Sequence, residues 1–193
     1  MKQFDSVLWF ATPVWAGELH VDNEAIKDFI YRLADISQGV SKSNYLGWQS
    51  ESINEIEEPS VEVLLDQITQ QVDLCCEQAA LPKLYLQNFW FNINNPGAYN
   101  HLHNHPGSLI SGVYYIDAFP EQGLFYFERN DDGKYFLPPV AEMNNVNSNC
   151  ALYTPETGKC FIFPGWLNHS VSPNITDTNR ISMSFNFGVP DEN

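Results

Sequence analysis

The stretch that decides the fold is "NNPGAYNHLHNHPGSLISGVYY", Asn94 to Tyr115. It holds three of the chain's five histidines, His101, His103 and His105, at every second position. Side chains two positions apart on a β-strand point to the same face, so His103 and His105 are expected to bind one metal ion together. His101 is expected on that face, one step further out. The alternative is a set of surface histidines near a turn.

A metal ion held in this way needs another ligand from elsewhere in the sheet, and two further histidines are available. His20 precedes the helices, whereas His169 lies in "GKCFIFPGWLNHSVSPN", residues 158–174. The turn at Pro164–Gly165 follows a β-like run and sets His169 near the start of the next strand. His169 is therefore the preferred distal ligand, with a turn-capping histidine as the alternative.

A third polar feature is the strand-like run "RISMSFNFG", residues 180–188, in which polar and apolar side chains alternate. Arg180 and Ser182 share its polar, inward face. Burying an arginine without an anion is costly, and its planar fork matches a carboxylate in a bidentate manner. We therefore expect Arg180 and Ser182 to bind a carboxylate, with an ion pair to one of the many acidic side chains as the alternative.

Outside these stretches the chain divides into a helical and a β-rich part. Apolar residues at intervals of three and four predict amphipathic helices over residues 23–37 and 59–81, with a loop between them at 39–58. After Pro82, short β-rich runs separated by turn residues predict an antiparallel sandwich or barrel. These runs are "LYLQNFWFNIN", "SLISGVYYI", "GLFYFE", "KYFLP", "CALYTP", "GKCFIFPG" and "RISMSFNFG".

Composition limits the partners. The chain has 193 residues, of which 44% are hydrophobic, and this favours a folded protein of one domain. A formal charge of −15 disfavours binding to nucleic acid or to anionic membrane surfaces. Because there is no signal-peptide pattern, no membrane-spanning apolar run and no disulfide-type spacing among the four cysteines, we expect a cytoplasmic protein with reduced thiols. The oligomeric state stays open, with a homodimer as one candidate.

The residues quoted above resemble the Fe(II)- and 2-oxoglutarate-dependent oxygenases, and among them the type found in marine bacteria and phages. The resemblance rests on "WFNINNPGAYNHLHNHPGSLISGVYY", "FPGWLNHSVSPN" and "RISMSFNFG", with weaker support from "FATPVW" and "GWQS". It implies a mainly β (α+β) protein with a double-stranded β-helix, or jelly-roll, fold. The jelly-roll core is then expected over residues 82–193 and an N-terminal strand with two packed helices over residues 1–81, in a single domain 1–193.

The resemblance also implies the metal ligands. His103, His105 and His169 are expected to bind Fe(II), with no catalytic residue beyond these ligands. The chain departs from the wider superfamily because it has His-x-His where a His-x-Asp or His-x-Glu pattern is usual, so the carboxylate ligand is missing. A pair of His101 and His103 remains the alternative for the near ligands.

Further roles follow from the same resemblance. Arg180 and Ser182 are expected to bind the far carboxylate of the co-substrate 2-oxoglutarate, and Tyr114 is expected to reach the same molecule. Four other residues are candidates for contact with the substrate or the ligands: His101, Asn92, Tyr99 and Trp166. The implied activity is hydroxylation of a small-molecule or side-chain substrate by a non-haem iron dioxygenase, an oxidoreductase.

Two other functions are compatible with the same residues. A cupin-like three-histidine metalloenzyme would not use 2-oxoglutarate. A non-catalytic jelly-roll module would bind a small molecule or a structural zinc ion, and a fourth protein ligand would then complete the metal site.

Overall fold

The computed structural model describes residues 5, 7–135 and 142–190. Within them it has two α-helices, α1 (Asn23–Ile36) and α2 (Pro59–Ala79). The strands of the first half are β1 (Trp15–Glu18), β2 (Asn44–Tyr45), β3 (Trp48–Gln49), β4 (Tyr85–Asn94), β5 (Tyr99–His103) and β6 (Ile110–Asp117). Those of the second half are β7 (Phe125–Glu128), β8 (Cys150–Tyr153), β9 (Lys159–Pro164), β10 (Asn168–Val171) and β11 (Arg180–Gly188).

Local capping explains where the two helices begin and end. The Asp22 carboxylate accepts a hydrogen bond from the Ala25 backbone N–H at 3.1 Å, which satisfies one of the free donors in the first turn of α1. Pro59 opens α2, where its missing N–H is tolerated. Ala80 adopts a left-handed conformation with a φ of 52° and ends that helix. Both predicted helices are confirmed to within two residues at each end.

The strands form two facing antiparallel sheets. The larger sheet has six strands in the order β1-β9-β6-β11-β4-β3, and the smaller has five in the order β2-β5-β10-β7-β8. Strands distant in sequence are neighbours in both sheets, as expected of a double-stranded β-helix. The predicted jelly-roll architecture is therefore present, with β5 and β10 side by side in the smaller sheet.

The larger sheet is buried on both faces. One face packs against α1 and α2 in a core that includes Ile30, Ile68 and Phe185. The opposite face meets the smaller sheet in a second core, with Phe163 on one side and Phe127 on the other. Alternation along β11 sends Ile181, Met183, Phe185 and Phe187 to the helices and leaves the polar positions facing the space between the sheets.

Two details of the secondary structure differ from the prediction. The segment 39–58, predicted as loop, contains β2 and β3, and Ile53 also forms an isolated bridge with Phe89. The run "KYFLP" was predicted as a strand, but Lys134 and Tyr135 belong to a 3-10 helix (Asp132–Tyr135), and residues 136–138 lie outside the described residues. Polar turn residues at 130–133 favour the tight helical turn over an extended strand.

The cysteines differ in exposure. Three thiols are buried, those of Cys75, Cys76 and Cys160, and burial raises the pKa of each, to about 11 for Cys75. Cys150 is exposed. In the described part of the chain, neither helix combines the length and apolarity that crossing a bilayer requires.

Candidate metal centre

Three histidine side chains converge between the two sheets. His103 ends β5 and pairs directly with His169 of β10. His105 lies two residues beyond β5, where its backbone N–H donates to the Gly165 carbonyl at 2.8 Å. One ligand nitrogen from each of the three rings lies within 4.8 Å of the others. The structure thus brings together the three histidines expected to bind metal.

A β-bulge in β5 moves His101 away from this group. His169 pairs with His103, but Val171, two residues further along β10, pairs with Asn100, three residues back along β5. The extra residue on β5 interrupts the alternation, so Asn100 and His103 both line the inner cavity while His101 is exposed. The expectation that His101 shares the face of His103 is therefore wrong, and this geometry favours His103 with His105 over the alternative ligand pair of His101 and His103.

Hydrogen bonds orient two of the imidazole rings. Nδ1 of His103 lies 2.7 Å from the His101 carbonyl, and Nδ1 of His169 lies 2.9 Å from the Leu167 carbonyl. Because a carbonyl only accepts, each Nδ1 carries the proton and the Nε2 lone pair is free. This is the tautomer that a histidine needs to bind a metal through Nε2.

The rings are also held in the neutral state. Burial lowers the pKa of His169 to about 3 and that of His105 to about 4, and it lowers the pKa of His103 as well. Aromatic neighbours exclude water from the histidine rings. The centroid of the Phe163 ring lies 4.8 Å from that of His169, and the centroid of the Trp90 ring lies 5.5 Å from that of His105. Neutral imidazoles are the metal-binding form, so no proton has to be displaced near neutral pH.

The spacing of the nitrogens fits a shared metal ion. Nε2 of His105 and Nε2 of His169 are 3.2 Å apart. Two nitrogens bound about 2.1 Å from one ion, at angles between 90° and 109°, are separated by roughly 3.0–3.4 Å. Among the described residues no carboxylate or fourth protein ligand joins the group, which leaves positions open for other molecules and argues against a closed structural zinc site.

Arg180 lies in the same cavity as the three histidines. Its side chain is buried, with a relative exposure of 1%, and burial lowers the pKa of the guanidinium. Nη1 donates to the Gln122 carbonyl, whereas the buried Nη2 has no hydrogen-bond partner. No salt bridge to Arg180 occurs within the part of the chain that the structure describes. A buried cation with a free donor in a cavity is a binding site for an anion.

Other polar side chains line the cavity beside the arginine. Ser182 follows on the same face of β11, and Asn92 of β4 pairs with it in register. The Asn92 amide donates to the Ser184 hydroxyl at 3.2 Å, while its buried Oδ1 has no partner. Because the amide oxygen and nitrogen can exchange places by a flip, Asn92 can present either a donor or an acceptor to a bound molecule.

Tyr114 does not face the cavity. Its hydroxyl donates to Asn23 Oδ1 at 2.9 Å, and its ring belongs to the core under the helices. The expectation that Tyr114 reaches the co-substrate is wrong because β6 places it on the helical face of the sheet. Tyr115, the next residue, points to the opposite face, lines the cavity and lies across from Ser182. Burial raises the pKa of Tyr115 to about 12, so its phenol stays protonated and can donate.

Two other candidates for contact with the substrate, Tyr99 and Trp166, lie away from the cavity. The Tyr99 ring packs against Tyr45 and His101, with centroids 5.0 Å and 4.9 Å away, on the outer side of β5. Trp166 has a relative exposure of 50%. Neither Tyr99 nor Trp166 lines the inner cavity or the outer cleft described next.

An outer cleft of about 750 Å³ opens from the histidines toward solvent. Trp90, His103, His105 and Ser43 line both this cleft and the inner cavity, so the two spaces meet at the candidate metal centre. The remaining lining residues come from three segments, 40–42, 49–52 and 101–104. Sequence reasoning assigned no role to the first two segments, because they lie in the region predicted as loop.

A jelly roll that brings three imidazoles and a buried arginine into one cavity is the arrangement expected of a non-haem metal-dependent oxygenase. Residues 88–186, just over half of the chain, match the family model described as "Putative 2OG-Fe(II) oxygenase". The chain therefore belongs to the 2-oxoglutarate- and Fe(II)-dependent oxygenase family, and it is an oxidoreductase whose cofactors are Fe(II) and 2-oxoglutarate.

Solved structures share the fold at low sequence identity. A prolyl-4-hydroxylase of Pseudomonas putida has 14% identity and a TM-score of 0.64, with 93% of this chain and 94% of that chain covered. The α-ketoglutarate-dependent epimerase SnoN from nogalamycin biosynthesis has 14% identity and a TM-score of 0.67, with coverages of 93% and 79%. A viral collagen prolyl hydroxylase of Paramecium bursaria Chlorella virus-1 has 13% identity and a TM-score of 0.60, with coverages of 92% and 96%. A comparison with curated protein sequences finds no match.

Proposed function

We propose that His103, His105 and His169 hold Fe(II) and that Arg180, assisted by Ser182 and Tyr115, binds the far carboxylate of 2-oxoglutarate. The enzyme then hydroxylates a small-molecule or side-chain substrate that enters through the outer cleft. The observation that carries this assignment is the free Nη2 of Arg180, a buried cationic donor in the cavity that the three histidine rings line.

Charge supports the assignment. Three neutral imidazoles leave the full positive charge of a divalent ion uncompensated by protein ligands. Arg180 adds a further positive charge in the same cavity. A dianion bound in this cavity would compensate two of these three positive charges, which favours 2-oxoglutarate over a neutral ligand.

Each part of the centre has a separate task. When bound, Fe(II) and 2-oxoglutarate supply the activation of O2 that is coupled to decarboxylation of the co-substrate. Carbonyl groups fix the rings of His103 and His169, and the Gln122 carbonyl fixes the guanidinium of Arg180. The aromatic side chains of Phe125 and Phe163 keep the histidine side of the cavity dry.

The test is an anaerobic titration of the Fe(II)-loaded protein with 2-oxoglutarate, followed by its visible metal-to-ligand charge-transfer band. We expect the band in the wild type and no band in His105→Ala, because that variant has lost a metal ligand. In Arg180→Ala the band should form only at a much higher concentration of 2-oxoglutarate. His101→Ala is the matched control: it removes a neighbouring imidazole that lies outside the cavity, so the band should be retained.

Two results would contradict the assignment. If iron binds but the band is absent at every 2-oxoglutarate concentration, the three-histidine centre does not use this co-substrate. If His101→Ala abolishes the band while His105→Ala retains it, the near ligands are His101 and His103.

The remaining expectations belong to the same proposal. A charge of −15 supports an enzyme that acts without nucleic acid and does not bind anionic membranes. Buried, unpaired thiols support a reducing, cytoplasmic location. Gel filtration with light scattering will give the oligomeric state, for which a monomer and a homodimer are the candidates.

A further inference from the structure

The outer cleft has a distinct charge pattern. Among the residues that line this cleft, Glu51 has the only carboxylate and Lys42 has the only ammonium group. Neither takes part in an ion pair with another described residue. Both charges are therefore free to meet a bound molecule.

The position of Glu51 relates it to the metal centre. Its neighbour Ser50 donates its backbone N–H to the Phe91 carbonyl at 3.0 Å, so the segment 49–52 runs beside β4. Glu51 is thus placed across from Trp90, whose ring lies 5.5 Å from the His105 ring. A carboxylate next to an aromatic surface is the arrangement that binds a protonated amine, through an ion pair and a cation–π contact.

Lys42 marks another wall of the cleft. The backbone N–H of His101 donates to the Ser43 carbonyl at 2.9 Å, so the segment 40–43 runs beside β5. Lys42 therefore flanks His101 and Leu102, and no ion pair joins it to Glu51. Lys42, Glu51 and the two histidines His103 and His105 line the same cleft, so a molecule bound there lies beside the histidine centre.

The volume sets the size of the occupant. A cleft of about 750 Å³ lies in the range that accommodates ligands the size of a short peptide or a disaccharide. The net charge of −15 attracts cations and repels anions at long range. Both features favour a substrate of several linked units that carries an amine.

The geometry points to a substrate amine: we infer that the outer cleft binds a peptide- or oligosaccharide-sized molecule whose protonated amino group is held by Glu51 beside Trp90, with an electron-rich polar end at Lys42. This inference rests on the proposed function, since it uses the cleft that opens onto the histidine centre. It names the chemistry of the substrate, a protonated amine, which both a peptide and an amino sugar can supply.

The experiment measures binding by calorimetry under argon, with the Fe(II)- and 2-oxoglutarate-loaded protein and also with the metal-free protein. One pair of probes is tetraglycine and N-acetyl-tetraglycine, and the other is the β-1,4-linked glucosamine dimer and its N-acetylated form. We expect at least one free amine to bind about tenfold to a hundredfold more tightly than its acetylated partner. This is the difference in affinity that one hydrogen bond to a charged group provides. The pair of probes that shows this preference identifies whether the amine belongs to a peptide or to an amino sugar.

Variants assign the preference to Glu51. Glu51→Gln, which keeps the shape and removes the charge, should erase the preference for the free amine, and Glu51→Asp should retain part of it. Glu55→Gln is the matched control, because Glu55 is an exposed carboxylate four residues after Glu51 that does not line the cleft. Lys42→Gln should weaken the binding of tetraglycine but not the binding of tetraglycine amide, which lacks the terminal carboxylate.

Three outcomes would overturn the inference: no binding of either amine, equal binding of free and acetylated probes, or an unchanged preference in Glu51→Gln. Failure of the proposed function is recognised separately, by the absence of the charge-transfer band without any probe. The metal-free titration completes the separation, because amine recognition by Glu51 does not require iron.

Discussion

Replacing Arg180 with methionine should stabilise the protein that has no co-substrate and abolish tight binding of 2-oxoglutarate. The side chain is buried, its Nη2 has no partner, and one hydrogen bond to the Gln122 carbonyl is its only described polar contact. Burying an unpaired cation costs several kcal/mol, and the hydrogen bond returns about 1.5–3 kcal/mol. Methionine replaces the apolar stem of the arginine side chain and carries no charge, so we expect the free energy of unfolding to rise by about 1–3 kcal/mol.

The effect on binding has the opposite sign. Loss of two charge-assisted hydrogen bonds to a carboxylate removes about 3–6 kcal/mol, which corresponds to a dissociation constant on the order of 10²–10⁴ times larger. Saturating 2-oxoglutarate at about 100 times its dissociation constant stabilises the wild type by about 2.7 kcal/mol but should leave the variant unchanged. The order of stability of the two proteins should therefore be reversed or become equal when the co-substrate is added.

Urea unfolding of the metal-loaded proteins under argon, with and without 2-oxoglutarate, measures both effects. Arg32→Met is the matched control: the Arg32 side chain is 65% exposed, so its removal should change stability by less than about 0.5 kcal/mol. The reasoning is refuted if Arg180→Met is less stable than the wild type without co-substrate, since the buried charge would then be compensated by the protein. It is also refuted if 2-oxoglutarate stabilises the variant as much as the wild type.

Three further predictions concern the two cores and the thiols. Tyr115→Phe should raise the dissociation constant of 2-oxoglutarate about tenfold or more in the charge-transfer titration. Tyr114→Phe should leave this constant unchanged but lower the free energy of unfolding in urea by about 1 kcal/mol. Gly112→Ala should destabilise the protein by about 1–3 kcal/mol, because a Cβ would collide with the Phe185 ring, and Gly17→Ala, with open space around it, should have almost no effect in the same assay. At pH 8 iodoacetamide should modify Cys150 rapidly and the three buried thiols only after unfolding, since raised pKa values leave little thiolate, and mass spectrometry can count the adducts.

Local periodicity made much of this protein predictable. The helices were predicted from apolar spacing, and the strand runs from alternation and turn residues. The grouping of His103, His105 and His169 was also predicted, although His105 lies beyond the end of β5 and not on the strand that the alternation argument assumed. Arg180 could be assigned to the inward face because side chains alternate along a strand.

The remaining features depend on contacts between distant segments. The bulge in β5 is visible only in its register with β10, so the sequence placed His101 on the wrong face. Tyr114 and Tyr115 are adjacent, and choosing which one faces the cavity requires the pairing of β6 with β11. Gln122, whose carbonyl holds the guanidinium, lies 58 residues from Arg180 in a loop and carries no sequence signal.

The extra residue in β5 allows the inner face and the outer wall of this strand to vary separately. Asn100 and His103 would keep their inward positions if the strand were shortened by one residue between them, because the regular ladder would then match the two-residue step on β10. The additional length benefits only the outer wall, where His101 and Leu102 present adjacent side chains to the cleft. A change of side chain at these two positions can therefore alter what the enzyme accepts, while the His101 backbone carbonyl continues to orient the His103 ring. This short segment is thus the natural place to engineer a new specificity.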